Sequence, residues 1–472
     1  MQISQKRPLF RRRNDSSVYR MFLWVVLILA GVWIIRLTQQ GDIKPLFLPT
    51  PTPTRLATSY TLEGDAHFTA GQLDAALTAY NEASRVEPNN AQVLAQLSRI
   101  QTYSTALLVN NEEVLVRLDE AVASAEKAIE LNPDSSYAHT VYSLALNWKA
   151  TYTRDEREKQ SLRTKSEQAA VRALQLDNSS ALALAVYAEV LVDQQKWMQA
   201  LQTVEQALER DPSLMDAHRI HAYVLESLGE YALAIQAYDR AIALSPNLTF
   251  LYLRAGAGYR VLAFRSPNEQ VQRELYEKAL EYFAQAARIN QQLGVRNPGP
   301  YVSIARTYSQ MGEFFIAIRN IQRAIEFEPN NSVLYGELGV LYHKNRNYET
   351  GILALKCAVR GCTEEESCDG RGGCGQNDVP SEVQGLPLSQ ATVYYYDIYA
   401  SELAALSTPR QSYCAEALDI AGIIESSEYI QDPNIAADMV VVRRICAFDT
   451  AANAAAGVRP TATPMVTPTS AP

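Results

Sequence analysis

The chain has 472 residues, of which 47% are hydrophobic and 20% are charged, so it is long and apolar enough to bury a large core. The formal net charge is −9. Seven basic residues lie within the first 40, which leaves 36 basic and 51 acidic residues in the remainder. Because nucleic-acid binding requires the neutralisation of phosphates, this acidic body argues against a nucleic-acid partner.

The first 40 residues combine a basic segment, residues 1–20, with an apolar run. The run begins at Met21, ends at Ile35 and contains no charged residue. As a helix, the run would span roughly 22 Å. A typical membrane helix has roughly 20 residues and is somewhat longer than this run. Arg20 and Arg36 can extend their charged ends towards the membrane surface. A cleaved signal peptide and a buried core helix are the alternatives, but no small-x-small cleavage site follows the run.

We therefore predict a single-pass signal anchor in the cell membrane over residues 21–37. Lysine and arginine favour the cytoplasmic side, which places residues 1–20 in the cytoplasm and the bulk of the chain outside it. Residues 38–54 form a linker rich in proline and threonine, and residues 451–472 form a disordered tail of the same character. Alternating proline and threonine cannot form a helix, so we expect the linker to be an extended spacer.

A repeated pattern begins after the linker and is clearest in residues 215–248. This stretch reads as two helices with a turn at Gly229 and a stop at Pro246, because proline cannot continue a helix. The same spacing occurs 34 residues earlier, where Ala200, Val204, Ala207 and Pro212 take the places of Ala234, Tyr238, Ala241 and Pro246. Alanines at this spacing let antiparallel helices pack closely. A fixed period of this length indicates a solenoid of stacked helix pairs.

Further copies carry the pattern at Gly64, Gly71, Ala76, Tyr80, Ala83 and Pro88, at Tyr308, Gly312, Ala317, Ala324 and Pro329, and at Leu338, Gly339, Tyr342, Tyr348 and Ala358. In these residues the chain resembles the tetratricopeptide repeat family. The resemblance implies an all-α superhelical solenoid of about eight to nine repeats, with eight in residues 55–360 and a degenerate ninth near 390–425. Residues 361–388 are predicted to be a cysteine- and glycine-rich loop. Residues 389–450 would hold the degenerate repeat and a C-terminal capping helix, which shields the open end of the array.

Three of the repeats are 45 rather than 34 residues long. Eleven extra residues make about three helical turns, so they lengthen a helix without rotating its buried face. Helix start signals occur at Thr153 and Ser266, each with a glutamate three residues later, and a weaker signal occurs at Asn111. These signals predict long second helices over 112–131, 154–176 and 267–290. We expect these helices to project as a ridge, which is either a docking surface or a thickened, solvated wall.

In tetratricopeptide repeat proteins, residues of the first helix of each repeat line the concave face of the superhelix, and that face binds peptides or partner proteins. On this sequence the positions are Arg99, Trp148, Glu189, Arg219, Tyr223, Arg254, Arg260, Arg306 and Gln310. Guanidinium groups bind carboxylates and stack on aromatic rings, so these residues predict a groove for an acidic or aromatic-containing peptide. The alternative is that the arginines pair with neighbouring acids of the array.

All six cysteines lie late in the chain, at Cys357, Cys362, Cys368, Cys374, Cys414 and Cys446. An even number outside the cytoplasm favours disulfides, and Cys414 and Cys446 are placed to tie the last repeat to the end helix. The alternative is a four-thiolate zinc site, which normally uses a Cys-x-x-Cys pair. The sequence lacks that pair. The connectivity of six cysteines does not follow from sequence.

The sequence contains neither a His-Glu-x-x-His motif nor a Gly-x-x-x-x-Gly-Lys phosphate loop. We predict a protein without enzymatic activity or cofactor: a membrane-anchored extracytoplasmic scaffold that binds a peptide or protein partner in its concave face. Two other functions stay open. One is an accessory subunit of a cell-envelope enzyme, with its chemistry in the cysteine-rich end. The other is a self-associating structural protein whose arrays pack through the ridge.

Overall fold

The structure, a computed structural model, describes residues 17–39, 55–108, 111–375, 378–408 and 410–455, except for the side chains at 34, 35, 37–39 and 448–455. It divides into two units, Met1–Leu56 and Ala57–Pro472. The predicted basic segment up to residue 16, the linker over 40–54 and the tail after 455 lie outside the described residues.

The first unit contains helix α1 (Val18–Gln39), which includes the apolar run of the sequence. The large apolar side chains that the structure describes in this helix are exposed, among them Phe22, Leu27 and Trp33. Within the described part of the chain, no helix combines the length and the apolarity that crossing a membrane requires.

Within its described residues, the second unit contains nine antiparallel helix pairs, a short helix and a two-stranded sheet between the eighth and ninth pairs, and a final helix. The first helices of the pairs are α2 (Ala57–Thr69), α4 (Ala91–Ser104), α6 (Ser136–Tyr152), α8 (Ala181–Asp193), α10 (Met215–Ser227), α12 (Thr249–Arg265), α14 (Gly299–Gln310), α16 (Ser332–Lys344) and α19 (Val393–Leu406). The second helices are α3 (Leu73–Val86), α5 (Asn111–Leu131), α7 (Glu156–Leu176), α9 (Trp197–Arg210), α11 (Tyr231–Leu244), α13 (Glu269–Leu293), α15 (Phe314–Phe327), α17 (Tyr348–Val359) and α20 (Cys414–Glu425). This architecture confirms the predicted all-α solenoid.

Small residues let the helices of a pair approach, as the sequence pattern predicts. The alanines of the pattern are at most 1% exposed: Ala200, Ala207, Ala234 and Ala241. A Cβ atom added to Gly256 of α12 would lie 2.5 Å from the ring of Phe283 in α13, so close packing of this pair requires glycine there. The apolar surface buried between neighbouring helices stabilises the array by roughly 25 cal/mol per Å².

The three long repeats contain long second helices: α5 and α7 have 21 residues and α13 has 25, whereas α9 and α11 have 14. However, the first helices α6 and α12 are also long, with 17 residues where α8 and α10 have 13. The predicted long second helices are therefore present, and in those two repeats the insertion lengthens the first helix as well.

The start signals of two long helices lie two residues later than the sequence predicts. Asp155 caps α7 and accepts a hydrogen bond from the backbone N–H of Glu158, and Asn268 caps α13 in the same way. Thr153 and Ser266 do not begin these helices, because they are the C-terminal caps of the lengthened helices α6 and α12.

Three disulfide bonds cross-link the C-terminal part of the unit, from α17 of the eighth pair to the final helix. Cys357–Cys362 and Cys368–Cys374 close short loops beside α18 (Glu364–Gly370), and β1 (Gly361–Cys362) pairs antiparallel with β2 (Val383–Gln384). Cys414–Cys446 joins α20 to α21 (Pro433–Ala455), the pairing that the sequence indicates. The predicted loop over 361–388 thus contains a short helix and a two-stranded sheet.

The array winds so tightly that distant repeats are in contact. Nδ2 of Asn247, between the fifth and sixth pairs, donates a hydrogen bond of 2.7 Å to the carbonyl oxygen of Ala70 in the first pair. Nδ2 of Asn297 donates one of 3.2 Å to the carbonyl oxygen of Ala106. A solenoid in which each repeat touches only its neighbours would lack such bonds. The first turn of the superhelix is therefore closed by direct contacts between distant repeats.

Candidate functional site

Four of the five arginines predicted on the inner face have acidic partners within the array. Arg99 pairs with Asp216, Arg219 with Glu189, Arg254 with Glu226 and Arg306 with Glu337. Each pair joins two neighbouring or facing first helices. The positive charge that favoured an acidic ligand is therefore largely neutralised, which supports the alternative interpretation of these arginines.

The pair between Arg219 and Glu189 shows how this inner face is built. Nη1 of Arg219 lies 3.0 Å from Oε1 of Glu189, and Nη2 lies 2.7 Å from Oε2. Nε1 of Trp148 donates to the same Oε1 over 3.2 Å, and the Arg219 guanidinium lies 5.6 Å from the centre of the Trp148 ring system. The desolvation cost of burying two charges is offset by these hydrogen bonds and by the ring contact. Side chains from α6, α8 and α10 are thereby fixed in one arrangement.

A second buried cluster forms around Asp216 of α10. Its carboxylate accepts hydrogen bonds from the guanidinium of Arg99 and the hydroxyl of Tyr103, both on α4. Burial alone would raise the pKa of Asp216, but Arg99 and Arg219 lower that pKa below its ordinary value. The ionised carboxylate thus holds together two helices that are more than 100 residues apart in the chain.

A cavity of about 360 Å³ lies beside these clusters. Its aromatic walls are Trp148, Tyr152, Tyr223, Tyr238 and Phe250. Its charged and amide lining comes from Asn147, Glu189, Asp193, Arg219 and Arg254. The volume falls in the range of about 300–1,000 Å³ that ligand sites occupy, and aromatic walls with a few polar groups are typical of such sites.

Asp193, the last residue of α8, supplies a carboxylate to this cavity. One of its oxygens accepts a hydrogen bond of 2.7 Å from Nδ2 of Asn147, and the other accepts one of 2.9 Å from the hydroxyl of Tyr223. Burial, and to a lesser degree the charge of Glu189, raise the pKa of Asp193 above its ordinary value, whereas the two hydrogen bonds and the charge of Arg163 act in the opposite direction. No basic side chain in the described part of the chain forms an ion pair with this carboxylate.

The structure divides the nine residues predicted on the concave face into two groups. Trp148, Glu189, Arg219, Tyr223 and Arg254 line the cavity, and Arg99 is held at Asp216 next to it. Arg260, Arg306 and Gln310 do not line the cavity but lie farther along α12 and α14. Burial and the charge of Arg306 lower the pKa of Arg260. That any of the nine contacts a partner stays a prediction.

Sequence reasoning missed Asn147, Asp193 and Phe250 in the cavity lining. For Asp193 a sign was present, because it follows Glu189 by four residues and the two carboxylates share one face of α8. Phe250 carries no such sign. It stacks on Tyr103 of α4, with ring centres 6.1 Å apart, only because the superhelix closes.

The cysteine-rich end, where an enzymatic alternative would place its chemistry, has no free thiol. All six cysteines are in disulfide bonds. Among the described residues, no group of three or more histidine, cysteine, aspartate or glutamate side chains is arranged to hold a metal ion.

Comparison with known proteins gives three matches to tetratricopeptide repeat models, over residues 57–90, 186–248 and 320–352, so the chain contains tetratricopeptide repeats. No curated protein matches it. Among solved structures, the human IFIT1 dimer with PPP-AAAA is 14% identical, with a TM-score of 0.51, over 85% of this chain and 92% of that chain. TTC0263, a thermophilic TPR protein in Thermus thermophilus, is 18% identical, with a TM-score of 0.36, over 43% and 98%. At such identities the likeness to the IFIT1 structure supports the helical fold alone.

Proposed function

We propose that this tetratricopeptide repeat protein is a scaffold without catalytic activity that binds a segment of a partner protein in the inner face of its first superhelical turn. The observation that carries this proposal is the aromatic-walled cavity of about 360 Å³. The ion pairs around it fix the lining before a partner arrives, so little side-chain entropy is lost when the partner binds. The helical repeats supply the framework and the cavity supplies the binding site.

Peptide selection tests the proposal without knowledge of the natural partner. The full-length protein, immobilised in detergent, is panned with a random peptide library, and the dissociation constants of selected peptides are measured. Thr151 lines the cavity and is exposed, so Thr151→Trp should plug it. Thr164→Trp is the matched control, because Thr164 is an exposed threonine of α7 outside the cavity lining and each hydroxyl donates to the carbonyl four residues earlier.

We expect the selected peptides to bind Thr151→Trp at least tenfold more weakly than the wild type and to bind Thr164→Trp with unchanged affinity. Equal binding to all three proteins would show that the peptides bind outside the cavity and would refute this proposal. Failure to select any peptide would count against the scaffold function itself.

We further propose that α1 anchors the protein in the cell membrane, with its N-terminus in the cytoplasm and the repeats outside. The described part of α1 does not by itself combine the length and apolarity of a membrane span, so this proposal is drawn from the sequence: the run from Met21 to Ile35 has no charge, and Arg20 and Arg36 flank it. The large apolar side chains that the structure describes in this run are exposed. Apolar side chains without an apolar partner favour insertion into lipid, and the basic residues before them favour the stated orientation.

Membrane fractionation tests the anchor. The wild type should stay with membranes after a carbonate wash, whereas Leu27→Arg/Ile28→Arg should be released, and protease added outside sealed cells should digest the repeats. Release of the wild type by carbonate would exclude an integral anchor. Protection of the repeats from the protease would show that they lie on the cytoplasmic side, opposite to the proposed orientation.

We also propose that the inner face does not bind nucleic acid. The arginines of the cavity are paired with Glu189 and Glu226, and Asp193 adds a negative charge, whereas phosphate binding needs an excess of positive charge. In a titration with a 5′-triphosphorylated oligonucleotide, the anisotropy of the labelled probe should not change. A saturable signal that Thr151→Trp abolishes would show the opposite.

A further inference from the structure

The charges along the inner face of the first superhelical turn do not balance. Three carboxylates each face an arginine: Asp216 faces Arg99, Glu189 faces Arg219 and Glu226 faces Arg254. Asp193 is a fourth carboxylate, and its hydrogen-bond donors among the described residues are the neutral side chains of Asn147 and Tyr223. Around the cavity, these paired groups together with Asp193 carry one net negative charge.

Asn147 supplies a second, independent acceptor. Asn147 is 3% exposed, and its Oδ1 has no hydrogen-bond partner in the part of the chain that the structure describes, although a buried amide oxygen normally has one. The orientation of the amide is fixed, because Nδ2 donates to the carboxylate of Asp193, and an oxygen in that place would face another acceptor. Asn147 and Asp193 both line the cavity. The site therefore holds a carboxylate and, next to it, an amide oxygen that no donor of the described residues satisfies.

Both groups require a ligand with hydrogen-bond donors, and the carboxylate favours one with a positive charge. An ammonium group has three donors and no acceptor. It can bond to Asp193 and to Oδ1 of Asn147 together, while a flexible alkyl stem packs along the aromatic walls. An anionic ligand would instead meet an uncompensated carboxylate, and a neutral ligand would leave that charge unpaired.

A lysine fits this cavity better than an arginine does. The planar stacking positions beside two of the aromatic rings are already taken by the array's own guanidinium groups, with Arg219 at 5.6 Å from the Trp148 ring and Arg254 at 5.7 Å from the Tyr223 ring. A compact ammonium needs no such planar position, because it acts as a point charge on a flexible stem.

We propose that the cavity binds the ammonium group of a lysine side chain from the partner, with Asp193 and Oδ1 of Asn147 accepting its hydrogen bonds. This inference rests on the proposed function, since it names the group that the scaffold recognises. The charged groups around Asp193 agree with it. Glu189, although paired with Arg219, adds negative charge beside Asp193, and Arg163 acts on Asp193 through its charge without an ion pair among the described residues.

The test uses peptides selected on the full-length protein and resynthesised with each lysine replaced in turn by norleucine, by Nε-acetyl-lysine or by arginine. Norleucine keeps the alkyl stem and removes the charge. At one lysine position, we expect norleucine and acetyl-lysine to weaken binding 10- to 100-fold and arginine to weaken it at least 5-fold. These measurements use the wild-type protein, so they do not depend on the folding of any variant.

The protein side of the test is Asp193→Asn, which keeps an oxygen for one of the two hydrogen bonds but removes the charge. It should weaken binding of the lysine peptide 10- to 100-fold and leave the norleucine peptide unaffected. Glu205→Gln, a charge-matched change on the exposed side of α9, should leave both peptides unaffected. Far-ultraviolet circular dichroism checks that both variants are folded.

The outcomes separate this inference from the proposed function. Peptides that are lost on Thr151→Trp but tolerate norleucine at every lysine would refute lysine recognition and leave the scaffold function intact. The same holds if the selected peptides contain no lysine. Peptides that bind equally to Thr151→Trp would refute both. The model compound Nα-acetyl-lysine methylamide provides a direct check, since it should shift the indole NMR signal of Trp148 in the wild type and not in Asp193→Asn.

Discussion

At the scale of single residues, the turn inside each short repeat depends on one residue with left-handed backbone. Gly71, Gly229 and Gly312 take this position with φ values of 71°, 84° and 83°. Gln195 and Arg346 take it in two other repeats, with φ values of 62° and 60°. The left-handed conformation costs a residue with a Cβ atom roughly 1–2 kcal/mol, and only glycine adopts it freely. Those two turns therefore contain a local strain that the glycine turns lack.

Gln195→Gly is predicted to stabilise the array, because it relieves this strain. The gain should be about 0.5–1 kcal/mol, since the greater freedom of glycine in the unfolded chain cancels part of it. Urea denaturation of the full-length protein, followed by circular dichroism, measures the change in the free energy of unfolding. Gln199→Gly, inside helix α9, should instead destabilise by about 1 kcal/mol. A loss of stability in Gln195→Gly would contradict the strain argument.

At the scale of helices, the sequence indicated the long repeats but not how each insertion is divided. In the third repeat, α6 is four residues longer than α8, and α7 is seven residues longer than α9. Four residues are about one helical turn and seven are about two. Either division of the insertion therefore keeps the buried faces in phase, so hydrophobic periodicity cannot distinguish the two. The capping residues could have done so, had Thr153 been recognised as an end and Asp155 as a start.

Helix α19 contains buried acids whose ionisation opposes folding. Burial raises the pKa of Glu402 to about 8, and burial with Lys344 lowers the pKa of its neighbour His343. The two side chains are 3.0 Å apart, but these shifts make them a neutral hydrogen-bonded pair at pH 7 rather than an ion pair. Burial, and then Asp438, raise the pKa of Asp397 in the same helix to about 7.

The stability of the C-terminal repeat should consequently fall as pH rises. The pKa of Glu402 is higher in the folded than in the unfolded chain, where it is about 4.5. Folded protein binds the proton more tightly, so this stability is present at low pH and is lost between about pH 4.5 and 8, at up to about 1.4 kcal/mol per pH unit. Glu402→Gln should reduce the pH slope of the unfolding free energy, whereas Glu205→Gln should not. An unchanged slope in Glu402→Gln would show that Glu402 is ionised in the folded state.

At the scale of the whole array, the sequence predicted the repeats but not the closure of the superhelix. Pitch depends on small rotations at each repeat interface, which add up along the array. No short-range pattern records that Asn247 will meet Ala70, 177 residues away. Once the turn closes, Arg99 reaches Asp216, and an open concave groove becomes a cavity between facing helices. For that reason the sequence identified five of the cavity residues but not which acids neutralise the arginines among them.

Two glycine variants isolate the contribution of closure to stability. Gly71 and Gly229 have the same left-handed role, so alanine should cost each turn about 1 kcal/mol through backbone strain. Apart from its chain neighbours, no described residue places an atom within 4 Å of a Cβ added to Gly229, whereas a Cβ added to Gly71 would lie 2.6 Å from the carbonyl carbon of Asn247. Gly71→Ala must therefore push the facing repeat away and should cost at least about 1 kcal/mol more than Gly229→Ala in urea denaturation.

A double-mutant cycle with Asn247→Ala shows whether this extra cost belongs to closure. Asn247→Ala removes the bond to the carbonyl oxygen of Ala70, which should cost about 0.5–1.5 kcal/mol in the wild type. It should cost almost nothing in Gly71→Ala, where the bond is already broken, and its full amount in Gly229→Ala, where the contact is intact. If Asn247→Ala costs the same free energy in all three backgrounds, the contact of Gly71 with Asn247 does not contribute to the stability of the closed turn. In that case Arg99 and Asp216, rather than the backbone contact at Gly71, would have to hold the turn closed.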